Sequence, residues 1–106
     1  MPRLIYAGAA LADLTELAEF LAQASGDAAI AGAYLSKLQQ KCRHLASLPF
    51  PVGRTRPELG EGIRSYSFGN HIIFFRCGAT ALTVIAIVEG HRDISSFFAA
   101  GVRWAE

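Results

Sequence analysis

The chain has 106 residues and 11.4 kDa, of which 52% are hydrophobic and 18% charged, with a formal net charge of +1. Residues 1–106 read as a single domain, and so apolar a composition, against about 25% charged in an average globular chain, excludes intrinsic disorder. A net charge this small gives no bulk electrostatic case for sequence-specific nucleic-acid binding, and no run approaches the roughly 20 apolar residues of a membrane span.

Arg3 to Ala7 reads as a short strand that Gly8 breaks. From Ala10 the period changes: Leu11, Leu14, Leu17, Ala18, Leu21 and Ala22 recur at threes and fours, with Asp13, Glu16, Glu19 and Gln23 on the other face, the pattern of an amphipathic helix. Arg3 followed by the apolar run to Ala12 has the outline of a secretory leader. The run is short, however, and continues through Asp13 into the helix, so a cytoplasmic protein is expected.

Gly26 suits a left-handed helix end, and Asp27 suits the cap of a second helix from about Ala28 to Leu48. Ile30, Tyr34, Leu38, Cys42, Leu45 and Leu48 form its apolar stripe, and Pro49 and Pro51 end it. The segment Gly53–Gly62, GRTRPELGEG, reads as a charged surface loop. Ile63–Phe68, the turn pair Gly69-Asn70 and His71–Cys77 read as a hairpin. Leu82–Val88 follows as a further strand, and Asp93 can cap a short C-terminal helix from Ile94 to about Ala100.

The order β-α-α-β-β-β with a helical tail implies an α+β fold, an antiparallel sheet packed on a helical hairpin. Along the hairpin's second strand Ile73 and Phe75 oppose Ile72 and Phe74. On the last strand, alternation sets Leu82, Val84, Ala86 and Val88 against Ile85 and Ile87. Both sheet faces are thus apolar, the helices cover one, and the other calls for the C-terminal tail or another chain; another chain is the expectation.

Charge is unevenly placed. Residues 1–36 set Arg3 against Asp13, Glu16, Glu19 and Asp27, while the cations of the second half are mostly arginines, whose planar fork grips carboxylates and phosphates. His44, His71 and His91 show no metal-ligand spacing with one another or with Cys42 and Cys77, which read as buried thiols, and no cofactor motif is present. The remaining chemical candidates are Arg54, Arg56, Arg64, Arg76, Arg92, Tyr66 and His91. These types could serve metal-free RNA cleavage. The plainer alternative pairs Arg64 and Arg76 with Glu58, Glu61 or Asp93 as scaffold ion pairs.

The segments ALADLTELAEFLA, KCRHLASLP, GRTRPELGEGIRSYSFGNHIIFFR and LTVIAIVEGHRDI resemble the ParE branch of the RelE/ParE toxins of bacterial type II toxin–antitoxin modules. The resemblance is most specific at Gly53, Arg54, Gly62, Arg64, Phe75, Arg76, Arg92 and Asp93. It implies a toxin held silent in a hetero-oligomer by an acidic antitoxin, and a ParE-like action on DNA gyrase by protein contact. Binding of antitoxin or target would then fall on Arg54, Arg56, Arg64, Arg76 and Arg92, with the aromatics Phe97, Phe98 and Trp104 as anchors.

RelE-like relatives are implied to be ribosome-dependent mRNA endonucleases, for which His91, Arg64, Arg76 and Tyr66 would be the catalytic set. Residues from 57 onward contain no lysine and four arginines, and Tyr66 is the last tyrosine, which favours the ParE-like alternative. A non-toxic module member that binds its antitoxin is a third possibility.

Overall fold

The structure is a computed structural model and describes residues 3–90. The expected C-terminal helix and His91, Arg92, Asp93, Phe97, Phe98 and Trp104 lie outside the described residues. Strand β1 (Arg3–Tyr6) leads into helices α1 (Gly8–Ser25) and α2 (Ala28–Ser47). They are followed by β2 (Arg54–Thr55), β3 (Ile63–Phe68), β4 (His71–Cys77) and β5 (Ala81–Glu89). The strands form one sheet in the order β1-β5-β4-β3-β2.

The expected order and the packing of sheet on helical hairpin are observed, with two refinements. The sheet is mixed, because β1 runs parallel to β5 while the other pairs are antiparallel. It also has a fifth strand, the two-residue β2, inside the segment read as a loop. Gly8 opens α1 rather than ending β1 with a break, and the helix start at Ala7 has no side-chain cap.

The inter-helix turn is built as its residues dictate. Gly26 takes φ +68° and donates its N–H to the Ala22 carbonyl at 2.9 Å, closing α1. Asp27 is extended, and its Oδ1 accepts the Ala29 N–H at 2.8 Å, opening α2. At the β3–β4 turn Gly69 has φ +57° and no non-glycine residue among the described residues has positive φ, so the turn follows the type II′ pattern rather than I′.

The main core lies between helices and sheet. Ala10 and Leu14 of α1 and Leu38, Cys42, Leu45 and Ala46 of α2 meet Ile73, Phe75, Leu82, Val84 and Ile87. The helical stripes are rotated from the expected ones: Leu11 is 52% and Ile30 57% exposed, while Ala31 and Ala46 are buried in their place. Small side chains at those positions let the helices approach closely, which hydropathy alone does not reveal.

The register of β4 and β5 shifts between Phe74 and Phe75. Phe75 pairs with Val84 and Phe74 with Ala86, so Ile85 is an extra residue. This β-bulge resets the alternation. Ala86 and Val88 therefore join Ile85 on the far face, and Ile87 joins Leu82 and Val84 on the helix face, correcting the simple alternation.

The far face is also not left for another chain to cover. Phe74, Ile85, Ala86 and Val88 are buried within the single chain, in a second cluster with Ile63 and with Leu59 from the segment between β2 and β3. The β5 edge beyond β1 is held by α1, whose Asp13 Oδ2 accepts the Ile87 N–H at 3.0 Å.

Helix α2 is tied to the hairpin turn through Tyr34. Its Oη lies 2.8 Å from His71 Nδ1 and donates to the Phe68 carbonyl at 3.3 Å; both contacts are satisfied when His71 Nδ1–H is the donor to Oη. A Cβ on Gly69 would stand 2.8 Å from Oη, so any other residue there would displace the Tyr34 hydroxyl as well as strain φ. Burial lowers the His71 pKa below its ordinary 6.5, while Glu89, directly opposite in the ladder, acts weakly the other way.

Asp27→Ala removes the cap of α2 and is expected to destabilise the fold by about 1 kcal/mol, read as a lower urea midpoint at unchanged slope. For His71 the folded pKa lies below the unfolded one, so the unfolded state binds the extra proton as pH falls. Stability from this group is present above about pH 6.5 and is lost below it. Thermal melts between about pH 7 and pH 5 should show a steeper fall for the parent than for His71→Gln; parallel curves would rule out His71 as the source.

Candidate functional site

Of the arginines singled out in the sequence, Arg54, Arg56, Arg64 and Arg76 lie at the β2–β3–β4 end of the sheet, and Arg92 lies outside the described residues. Gly53 makes this possible: it has φ +85°, and a Cβ there would lie 2.6 Å from the Ser65 carbonyl oxygen. Only glycine lets the chain lie flat on β3, so that Arg54 pairs with Ser65 and Thr55 with Arg64. The Arg56 N–H then donates to the Ile63 carbonyl at 2.8 Å, and turns through Leu59 and Gly60 return the chain to β3.

Residues directly opposite in a ladder share a face, and neighbours along a strand do not. Arg54 stands opposite Ser65, which stands opposite Phe74, so Arg54 belongs to the far face. Arg56 joins it: its guanidinium reaches Ser65 Oγ at 3.4 Å and lies 5.7 Å from the centre of the Phe74 ring. Arg76, opposite Ile63, is on the same face, and its Nε donates to the Glu61 carbonyl at 3.1 Å. Arg64 and Tyr66 are on the helix face, as alternation predicts, with Lys41 Nζ 5.3 Å from the centre of the Tyr66 ring.

The expected pairing of Arg64 and Arg76 with Glu58 or Glu61 is not found, and Asp93 lies outside the described residues. Both arginines contact backbone carbonyls instead, Arg64 reaching those of Val52 and Gly53 at 3.4 Å. Among the described residues the ion pair is Arg56 Nε to Glu58 Oε2 at 2.7 Å, and this hydrogen bond holds the Glu58 carboxyl below its ordinary pKa. Arg54, Arg64 and Arg76 make no ion pair with a carboxylate among the described residues, although the charge of Arg54 adds to the lowering of Glu58.

Beside Arg64 an open cleft of about 380 Å3 is lined by Thr55, Pro57, Gly62, Ile63 and Arg64. The spacing of the sequence does not reveal Ser65 as a polar partner of Arg56, because residues 53–62 read as a loop with no register to β3. A second cleft of about 200 Å3, lined by Asp13, Glu16, Phe20, His71 and Glu89 among others, is acidic, with Phe20 61% exposed at its rim.

The arrangement is suited to binding anions at separate points. The catalytic set considered for RNA cleavage is divided, Arg64 and Tyr66 on one face and Arg76 on the other, with His91 outside the described residues. Among the described residues no group of His, Cys, Asp and Glu is placed to hold a metal ion, and no helix is long and apolar enough to cross a membrane.

Residues 4–94 match the family model described as the ParE toxin of the type II toxin–antitoxin system parDE. No curated protein matches the sequence significantly. Among solved structures, the chain is similar to one described as a chromosomal ParDE toxin–antitoxin system from P. aeruginosa, with a TM-score of 0.74 and 17% identity. The match covers 84% of this chain and 96% of that chain, and at this identity it supports the fold. With the family model spanning most of its length, this chain belongs to the ParE toxin family of type II toxin–antitoxin systems.

Proposed function

We propose that the chain is a toxin that acts in the cytoplasm on DNA gyrase by protein–protein contact, and that a cognate acidic antitoxin silences it by binding its arginine-bearing surface. The observation that carries this reading is that Arg64 and Arg76 make no ion pair with a carboxylate among the described residues and contact backbone carbonyls instead. Guanidinium groups in this state favour an acidic partner, through steering and through charge-assisted hydrogen bonds formed on contact.

Action by occupancy rather than by chemistry is favoured by the division of Arg64 and Tyr66 from Arg76. In-line cleavage of RNA needs base, acid and phosphate-stabilising cation around a single phosphate. Groups on opposite faces of one sheet do not meet that requirement.

Inducing the chain without antitoxin should stop DNA synthesis before protein synthesis in pulse-labelled cells. The purified chain should inhibit supercoiling by gyrase and accumulate cleaved DNA, and adding the acidic protein encoded beside it should reverse both effects. Early collapse of protein synthesis with cut mRNA would replace this reading with a ribosome-dependent nuclease. Normal growth with the neighbouring protein still bound would make the chain a non-toxic module member.

A further inference from the structure

We infer that the far face of the sheet binds the phosphate backbone of duplex DNA through Arg3, Arg54 and Arg76; this goes beyond protein contact with gyrase and needs neither gyrase nor antitoxin for its test. The placement follows from the ladders. Arg76 on β4 stands opposite Ile63 on one side and Thr83 on the other, and Thr83 stands opposite Ile5 of β1. Arg3, two residues before Ile5, belongs to the same face, since Leu4 and Tyr6 pack into the helix-side core. Arg54, opposite Ser65, is the third cation of that face, and all three arginines are exposed.

The register sets these three on one diagonal. From Arg3 to Arg76 the step is two strands across and two residues along, and from Arg76 to Arg54 it is the same step in the same direction. At about 4.8 Å between strands and about 3.4 Å per residue, each step is roughly 12 Å and the whole line roughly 24 Å. Binding a phosphate chain draws on several cations in succession along such a track. The bond from Arg76 Nε to the Glu61 carbonyl fixes the planar fork at the middle of the line, and its terminal nitrogens carry further donors suited to a phosphate.

The acids near this line are Glu58, which is bound to Arg56 and also feels Arg54, and Glu61 on the exposed turn. Asp13, Glu16 and Glu89 instead line the acidic cleft at the other end of the sheet, where β4 begins and β5 ends. This polarity turns the arginine line towards a polyanion. A duplex fits it better than a single strand, whose unpaired bases are held by stacking on exposed rings. Phe74 on this face is completely buried, with the Arg56 guanidinium 5.7 Å from its ring centre, and Tyr66 and Phe68 belong to the helix face. Both described helices also lie on that other face, so contact here is with phosphates and carries no base sequence.

The test follows the anisotropy of a fluorescent duplex of about 20 base pairs as the purified chain is added, at salt concentrations from about 50 to 200 mM. Log Kd should rise with log salt at a slope of about 3, near one counterion per arginine, and duplexes of unrelated sequence should bind alike. Arg3→Gln, Arg54→Gln and Arg76→Gln, each checked for an intact thermal transition, should weaken binding about 3- to 10-fold and lower the slope by about 1. Lys37→Gln, exposed on α2, should keep the parent slope.

No binding at the lowest salt, or a parent-like Kd and slope in all three arginine variants, would overturn the assignment while leaving the supercoiling and pulse-labelling tests of the gyrase reading untouched. Should Arg76→Gln fail to fold, Arg3→Gln and Arg54→Gln decide. An oligothymidylate bound more tightly than the duplex, and weakened by the same substitutions, would transfer the face to a single strand and overturn the assignment. Affinity for the acidic protein encoded beside the chain lost in these variants, with duplex binding unchanged, would give the arginines to a protein partner and likewise overturn it.

Discussion

The rest of the molecule is organised by the two phenylalanines at the centre of β4. Phe74 and Phe75 are consecutive, both completely buried, and they enter different cores on opposite faces of the sheet. Each large ring lost from water is worth a few kcal/mol, so neither face can be left open in a domain this small. The helical hairpin meets one demand. The other draws Leu59 and the chain between β2 and β3 onto the far face, and this movement carries Arg54, Arg56 and Thr55 into register with β3. The surface that presents the arginines is thus a consequence of how the second core is closed.

What could be read from the sequence was local. Gly26 and Asp27 act through bonds within a few residues, so their roles as helix end and helix cap follow from residue type. The Gly69-Asn70 turn is equally local. Three features were not local and were not legible. The parallel pairing of β1 with β5 depends on the whole intervening path. The bulge at Ile85 leaves a continuous apolar run unbroken, so no change of pattern marks it. A strand of two residues, β2, has no periodicity to detect, although Gly53 is the residue that permits it.

The same division holds at the site. Alternation along β3 correctly set Arg64 beside Tyr66, and resemblance selected Arg54, Arg64 and Arg76 together. Their partition between faces needed the ladder partners Ser65, Phe74 and Ile63, which sequence spacing does not supply. Among the described residues Arg54, Arg64 and Arg76 make no ion pair. Arg56 illustrates the contrast: its bond to Glu58 fixes the turn after β2 and spends its charge locally.

The parallel pairing of Arg3 to Tyr6 with Ala81 to Val84 has a consequence for the order of events during synthesis. Among the described strands the first to be synthesised has its partner in the last, and contacts at such separation raise the contact order and slow folding. The helical hairpin, stabilised by neighbouring residues, can form while the sheet-facing side chains Leu14, Leu38 and Leu45 still lack their covering strands. The arginine-bearing edge is assembled from residues that emerge midway, whereas β5 completes the sheet between β1 and β4. A chain interrupted before Ala81 would carry helices and arginines but lack the strand that joins the two ends of the fold.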